Sequence, residues 1–450
     1  MDETAGEQRG LEGGGPALGY MALLRSNRDF RQLWLGQVVS QLGDWFNTIA
    51  LFTLVLRLTG SGAAVSLVLV TRFLPSVVLG PLSGVLADRF NRRHIMIASD
   101  VARAAVVLGF LFIRSPEQVW LVYLLTVLQL AFSAFFEPAR SAALPSVVRP
   151  RDLVTANAIS SVTWSAMLTL GAAAGGPITE WFGTDAAFVI DSLTYLLSAA
   201  LVMRLRLPKR APRPKTPLTL SKALGVTDTL EGLRYVRRRP RVMAFLLVKP
   251  AWGLGGGILT LLPVFGERVF RVSFGVALGG AALGMSVLYA ARGVGTAVGP
   301  VLMRRFYGET RQQMQRAIGV SFLFAGVFYV LFGSAQGFGP ALVWLAVAHM
   351  GGSVLWVFST VLLQATVEDE FRGRVFAAEL TLMTLAMAAS NYATGEALDR
   401  FGFSPRAVVI AIGLFFLLPG VAWLLTRRLW DRETLAGQRV EAGAPAGRGL

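Results

Sequence analysis

Gly84-Val85-Leu86-Ala87-Asp88-Arg89-Phe90-Asn91-Arg92-Arg93 places one carboxylate and three guanidiniums where one apolar run, Ala64–Ala87, gives way to the next, Ile95–Ile113. Each run is long enough to cross a hydrocarbon core of about 30 Å, which takes roughly 20 apolar residues as a helix. The repeating unit of this chain is therefore a spanning helix, a short charged loop and another spanning helix. The other runs follow the same plan: Arg31–Leu56, Val119–Phe136, Thr155–Gly175 and Ala187–Met203 before a central loop, then Val242–Phe265, Val276–Met303, Ala317–Gly333, Ala341–Thr366, Val375–Ala397 and Ala407–Thr426. Twelve runs predict an all-α polytopic membrane protein.

Composition agrees. The chain is 54% hydrophobic, with a mean hydropathy of +0.56, and only 16% charged, against about 25% in soluble domains. The net charge of +16 would suggest nucleic acid in a soluble protein, but here sidedness explains it. With the N-terminus inside, 32 Lys/Arg fall on inner tails and loops, 6 on outer loops and 5 within spans. Basic residues stay on the cytoplasmic side, so both termini are expected inside, in a plasma membrane of the bacterial inner-membrane type. Polar Met1–Arg28 precedes the first run and no small-residue cleavage site follows it, so that run is expected to remain as a span rather than act as a signal peptide. The chain has no cysteine and two histidines, His94 and His349, which leaves no disulfide framework and makes a His-built metal site improbable. No cofactor is expected, since there is no phosphate loop, metal-ligand cluster or nucleophile motif.

The segment Arg204–Arg241 carries twelve cations, together with Pro208, Pro212, Pro214 and Pro217. It reads as a linker, and its cations serve as a positive-inside signal or bind anionic headgroups. The expected organisation is a tail (1–28), a six-helix half (29–205), a cytoplasmic loop (206–240), a second six-helix half (241–428) and a tail (429–450), with both tails disordered. A shift of 219 residues supports the division: Gly80-Pro81 falls on Gly299-Pro300, Gly176 on Gly395, Phe182-Gly183 on Phe401-Gly402 and Glu180 on Asp399. Parallel repeats in transporters place the binding site near the midplane between halves.

The stretch 84–93 resembles the cytoplasmic loop signature of the major facilitator superfamily, G-x-L-A-D-R-x-G-R-[RK]. Asn91 stands in place of the second Gly, as the next best residue for a left-handed turn. Residues 27–44, from Asn27-Arg28-Asp29-Phe30 through Gln41-Leu42-Gly43-Asp44, together with Asp100…Arg103 and Leu144-Pro145-Ser146, look like the branch holding the enterobactin exporter and macrolide efflux proteins. The resemblance implies a secondary exporter of an amphipathic small molecule, driven by protons, with the loop residues Gly84, Asp88, Arg89, Arg92 and Arg93 as a cytoplasmic gate. Ala172…Gly175-Gly176-Pro177 partly resembles the antiporter signature of the fifth span; it is equally well read as a small-residue helix crossing with a Pro kink. The arginine-containing signature many proton antiporters carry in the fourth span is missing, because Val119–Leu130 has no cation.

A charge at mid-membrane costs at least about 2.5–3.5 kcal/mol, which makes each one a functional candidate. Asp44 lies roughly 16–20 Å from the inner edge of its span, at 1.5 Å per residue. Gln37, Gln41, Asp44 and Thr48 share one helix face. Asp44 is read as a proton or cationic-substrate site, or else as a fixed ion pair, with Arg72 at matching depth as its expected partner. Arg292 lies within one residue of the repeat mate of Arg72, and the two could flank a central cavity. Asp100 and Arg103 are expected to pair within one helix and to support the gate. Asp191 and Glu379 lie near span ends, where solvent could reach them. The expected partners are an amphipathic substrate, protons and membrane lipids, with no nucleic acid, around a monomer. A lipid flippase on the same fold, or a receptor or scaffold without transport, is the alternative; an enzyme is the least favoured.

Overall fold

The structure is a computed structural model; it describes residues 18–207, 226–270, 280–307 and 310–430. Every regular element among these is helical. The N-terminal group comprises α1 (Tyr20–Ser26), α2 (Arg28–Thr59), α3 (Gly62–Arg89), α4 (Arg92–Leu108), α5 (Val119–Val147) and α6 (Leu153–Met203). The C-terminal group comprises α7 (Val226–Arg237), α8 (Pro240–Gly253), α9 (Ile258–Val264), α10 (Ala281–Tyr307), α11 (Arg311–Ser334), α12 (Phe338–Thr366), α13 (Asp369–Asp399) and α14 (Pro405–Trp430). Nine helical stretches among the described residues are long and apolar enough to cross a membrane. Residues 1–17, 208–225 and 431–450, with most of both tails and the Pro-rich part of the linker, lie outside the described residues; the disorder expected for 1–28 does not reach its end, because Tyr20–Ser26 forms α1 and buries Leu23, and the expected loop 206–240 contains the helix Val226–Arg237.

Local chemistry sets the helix ends. Asn27 caps α2, its side chain accepting from the Phe30 amide at 2.9 Å and donating to the Val147 carbonyl at 2.7 Å. That satisfies one of the orphan N–H groups at the helix start. The long α6 folds back on itself at Gly183, where φ is +86°. Its repeat mate Gly402, at φ +66°, turns the chain between α13 and α14. A side chain at either position would be strained, so the shared glycine is a backbone requirement.

The hydrophobic interior is one large cluster running through both groups, with Phe52, Phe188, Tyr289 and Phe416 among its members. A smaller one lies around Phe30, Met96 and Phe136. In lipid, helices associate through close packing at small residues rather than through apolar burial. Gly176 and Gly395 show this between the groups. A Cβ on Gly176 of α6 would lie 2.0 Å from Ser286 Oγ of α10, and one on Gly395 of α13 would lie 2.2 Å from Ser66 Oγ of α3. Gly175 meets α2 instead, near Ile49 and the Trp45 carbonyl. The Gly175-Gly176-Pro177 motif thus sits at a helix crossing, with Pro177 inside α6.

Candidate functional site

Asp44 sits midway along α2 and is partly exposed. Its Oδ1 accepts a short hydrogen bond from the Tyr195 hydroxyl of α6, and that hydroxyl accepts from Gln129 Nε2 of α5 at 3.0 Å. Arg103 of α4 packs over the Tyr195 ring, 4.3 Å from its centroid, and over Phe136 at 4.7 Å, while pairing with Asp100 one turn away. Asp191 is fully buried, contrary to the shallow, solvated position expected for it; its Oδ2 accepts from Asn47 Nδ2 at 2.7 Å. The reason is that the sixth span starts just after Gly183, which carries Asp191 about 12 Å down the helix at 1.5 Å per residue. Asp44, Asp191 and Arg103 lie within electrostatic reach of one another. Three carboxyls therefore surround one buried guanidinium.

Two expected arrangements differ in the structure. Arg72 makes no ion pair with Asp44; Arg103 acts on it more strongly, because α6, the chief neighbour of α2, also packs on α4 and its Tyr195 touches both Asp44 and Arg103, whereas α3 packs chiefly on α5 and α13. Arg72 and Arg292 instead both lie within reach of Tyr289. The Tyr289 ring meets Trp45 and Phe52 across the groups, at 5.6 and 6.3 Å. Arg292 has a buried Nε without a hydrogen-bond partner. The polar stripe also divides: Gln37 donates to the Ser160 carbonyl at 3.3 Å and accepts from Arg140 at 3.1 Å, while the Oε1 of Gln41 is buried and unpartnered.

Glu379 is not interfacial. It is 3% exposed and pairs at 2.8 Å with Lys249 of α8, itself 5% exposed. Lys249 also lies 4.9 Å from the Trp356 ring. Sequence reasoning passed over Lys249, although it is the single lysine inside a predicted span. His349 is packed rather than free, near the Tyr329 hydroxyl and with Nδ1 3.1 Å from the Leu345 carbonyl.

The loop 84–93 is described in part, since the surroundings of Gly84 and the side chains of Asp88 and Arg89 lie outside what the structure describes. Arg92 donates to the Ala142 carbonyl and Arg93 to that of Met203, which ties α4 to α5 and α6. Asn91 is extended (φ −66°, ψ 114°) and caps the Arg93 amide, so it is a helix cap and not a left-handed turn.

A reciprocal pair of carboxylates joins the groups at the end that the charge distribution assigns to the outside. Asp399, ending α13, accepts from Ser61 Oγ at 2.6 Å, the Ala63 amide at 2.8 Å and the Gly62 amide at 3.2 Å, at the start of α3. Glu180 of α6, 4% exposed, accepts from the Gly280 amide at 2.9 Å, just before α10. Each carboxylate lies four residues after a crossing glycine, Gly395 or Gly176, and each satisfies orphan amides at the positive end of a helix of the other group. The repeat pairing of Glu180 with Asp399 was the signal for this in the sequence. Burial pulls the Asp399 carboxyl up, but the Ser61 hydroxyl, the Ala63 and Gly62 amides and Arg268 outweigh it and hold it below the ordinary carboxylate range.

Comparison with known proteins places this geometry. The chain is 27% identical over 444 residues to the uncharacterized MFS-type transporter YfiS of Bacillus subtilis, covering 94% of this chain and 99% of the relative. It is 25% identical over 377 residues to macrolide efflux protein A of Streptococcus pyogenes, covering 83% and 90%. The fold matches the crystal structure of the POT family transporter PepTSo with a TM-score of 0.70 at 13% identity, over 90% of this chain and 99% of that one. The profile of the Major Facilitator Superfamily matches residues 33–378. The chain belongs to the Major Facilitator Superfamily: it is a multi-pass membrane protein that moves small molecules by alternating access and not an enzyme.

Proposed function

We propose that this transporter is a proton-driven exporter of an amphipathic small molecule. In this reading twelve spans form two six-helix halves, with both termini in the cytoplasm. The observation that carries the coupling is the cluster in which Asp44, Asp100 and Asp191 lie around the buried guanidinium of Arg103, with Arg72 and Glu137 acting on Asp44 more weakly. Unbalanced charge in a low-dielectric interior is costly, and a bound proton relieves it. Asp44 is the partly exposed member, so it is the point of entry, while Tyr195 and Gln129 hold its carboxyl in place.

Protonation there changes how strongly Tyr195, with Arg103 over its ring, holds α2 against α6. A proton that binds one conformation more tightly shifts the equilibrium between outward and inward states by that difference. Glu180 and Asp399 act as the outer latch, and the loop around Asp88, Arg89, Arg92 and Arg93 as the inner one. Opening outward breaks both carboxylate–helix contacts, while opening inward leaves them intact. Trp164 and Trp356, exposed within spans, and the Trp45–Tyr289 contact supply apolar lining. Arg72 and Arg292 offer donors to oxygen atoms of a substrate. The relative named for macrolide efflux supports export of a bulky amphipathic molecule.

The test is substrate-induced proton movement in energised inverted vesicles, with dyes, macrolides and siderophores, comparing wild type and Asp44→Asn. Proton release on adding one compound, lost in the mutant, is expected. Coupled transport that persists in Asp44→Asn removes Asp44 as the carrier.

A further inference from the structure

Helix α7, residues Val226–Arg237, belongs to no part of the transport pathway described above. It lies beside the start of α13 and leads directly into α8 at Pro240. One face is buried. Tyr235 stacks on Phe371, with ring centroids 4.4 Å apart, and a Cβ on Gly232 would lie 2.3 Å from the Arg374 carbonyl. Two ion pairs pin the helix to α13 and its N-cap: Arg374 to Glu231 at 3.1 Å and Arg239 to Glu368 at 2.9 Å. The nearby acids whose side chains are described, Glu231, Glu368, Asp369 and Glu370, are each paired with Arg239, Arg372 or Arg374.

The opposite face carries Leu230, Arg234, Arg237 and Arg238, all exposed and spaced so that they point the same way from the helix. Among the described residues none of these three guanidiniums has an ion-pair partner. Together with Arg239, Tyr235, Phe371 and Glu231, whose carboxylate is held by Arg374, they border a cleft of about 750 Å³, within the range that holds a small ligand. Three uncompensated cations, one protruding leucine and an aromatic floor stand where the chain enters the membrane. A cluster of cations at the membrane surface attracts anionic headgroups.

We infer that this face of α7 is a binding site for the headgroup of an anionic phospholipid. The guanidiniums of Arg234, Arg237 and Arg238 engage the phosphate as charge-assisted donors, and Leu230 enters the acyl region. The inference rests on the membrane placement of the fold and not on the identity of the transported substrate. It gives the cationic loop a use beyond orienting the chain: an occupied site holds α7, and with it the start of α13, at the lipid surface. The far end of that same helix carries Asp399, so lipid binding reaches the helix that closes the outer end.

The test uses the full chain purified in neutral detergent, with phosphatidylglycerol or phosphatidylcholine of identical acyl chains, counting bound lipids by native mass spectrometry. Wild type is expected to retain phosphatidylglycerol at least about tenfold better than phosphatidylcholine, with that preference lost in Arg234→Gln/Arg237→Gln/Arg238→Gln. The triple Lys variant at the same positions keeps the charge and controls for folding; it is expected to keep most of the preference. Equal retention of both lipids by wild type, or an undiminished preference in the Gln variant, overturns the site. Glycerol 1-phosphate is added as competitor. Full displacement of lipid by it makes this a site for soluble phosphate groups, which overturns the membrane assignment.

Discussion

Arg103 of the N-terminal group and Phe322 of the C-terminal group are separated by the same 219 residues that relate Glu180 to Asp399. Around Arg103 stand Asp44, Asp100, Asp191, Tyr195 and Gln129; Phe322 is in ring contact with Trp252 and Phe416, which in turn meet Tyr329 and His349. The shift also sets Pro263 against Asp44 and Ile410 against Asp191. At the outer end, by contrast, the two groups remain alike, with matching crossing glycines, matching turns and matching carboxylate caps. One backbone plan thus carries a symmetric latch and an asymmetric interior. Gating needs the same geometry from both groups, whereas proton binding needs only one cluster of carboxyls, and an aromatic counterpart gives it a rigid surface to move against.

The sharpest way to break that contrast is to neutralise a carboxyl on each side. Asp44→Asn is expected to lower proton-linked flux by at least about tenfold, and Glu379→Gln to leave it within about twofold, in the same inverted vesicles. Equal losses would erase the asymmetry. Next in size is the buried Lys249–Glu379 ion pair of the C-terminal group. Lys249→Met leaves Glu379 buried without its cation and should cost about 3–5 kcal/mol in thermal unfolding, most of it recovered by adding Glu379→Leu. A single variant as stable as wild type would mean that water reaches the pair.

The symmetric end calls for a smaller effect on each side. Asp399→Asn and Glu180→Gln should each favour outward opening by about 1 kcal/mol, a roughly fivefold rise in thiol labelling of Leu398→Cys in this cysteine-free chain. The two should add, because they act at separate helix ends. Strong non-additivity would show one latch instead of two. The pH sign follows from the depressed Asp399 carboxyl. Its closing contribution is complete above the ordinary value of about 3.9 and is lost only as pH falls through its own lower value, so labelling should be flat from about pH 5 to 8. Labelling that climbs as pH drops through that range would assign the titration to another group. The smallest effect is expected at His349→Gln, which removes a packed ring from the aromatic counterpart. The pH profile of transport should not move, and a displaced profile would make that core titratable after all.

Much of the site was legible for one reason: an ionisable residue in an apolar run stands out. That singled out Asp44, Arg103, Asp191, Arg292 and Glu379. It failed for Tyr195, Gln129 and Asn47, since neutral polar residues are common in spans and their partners lie far along the chain. Depth matching paired Asp44 with Arg72 because it records height in the membrane and ignores which helices are neighbours. Lys249 carried the same signal as the others and was overlooked. Asn91 was read by its conformational tolerance, but its side chain found a helix amide to cap.

By itself the sequence determined that this is an all-α, multi-pass membrane protein, and it supplied the expected sidedness and the repeat spacing, since these depend on local hydropathy, charge and spacing. Which carboxyl meets which cation, and that Glu180 and Asp399 close helices of the opposite group, were decided only by the tertiary structure. Those contacts join residues about 100 to 340 positions apart, and their geometry comes from helix neighbours and rotations set by packing, which a periodic pattern does not encode.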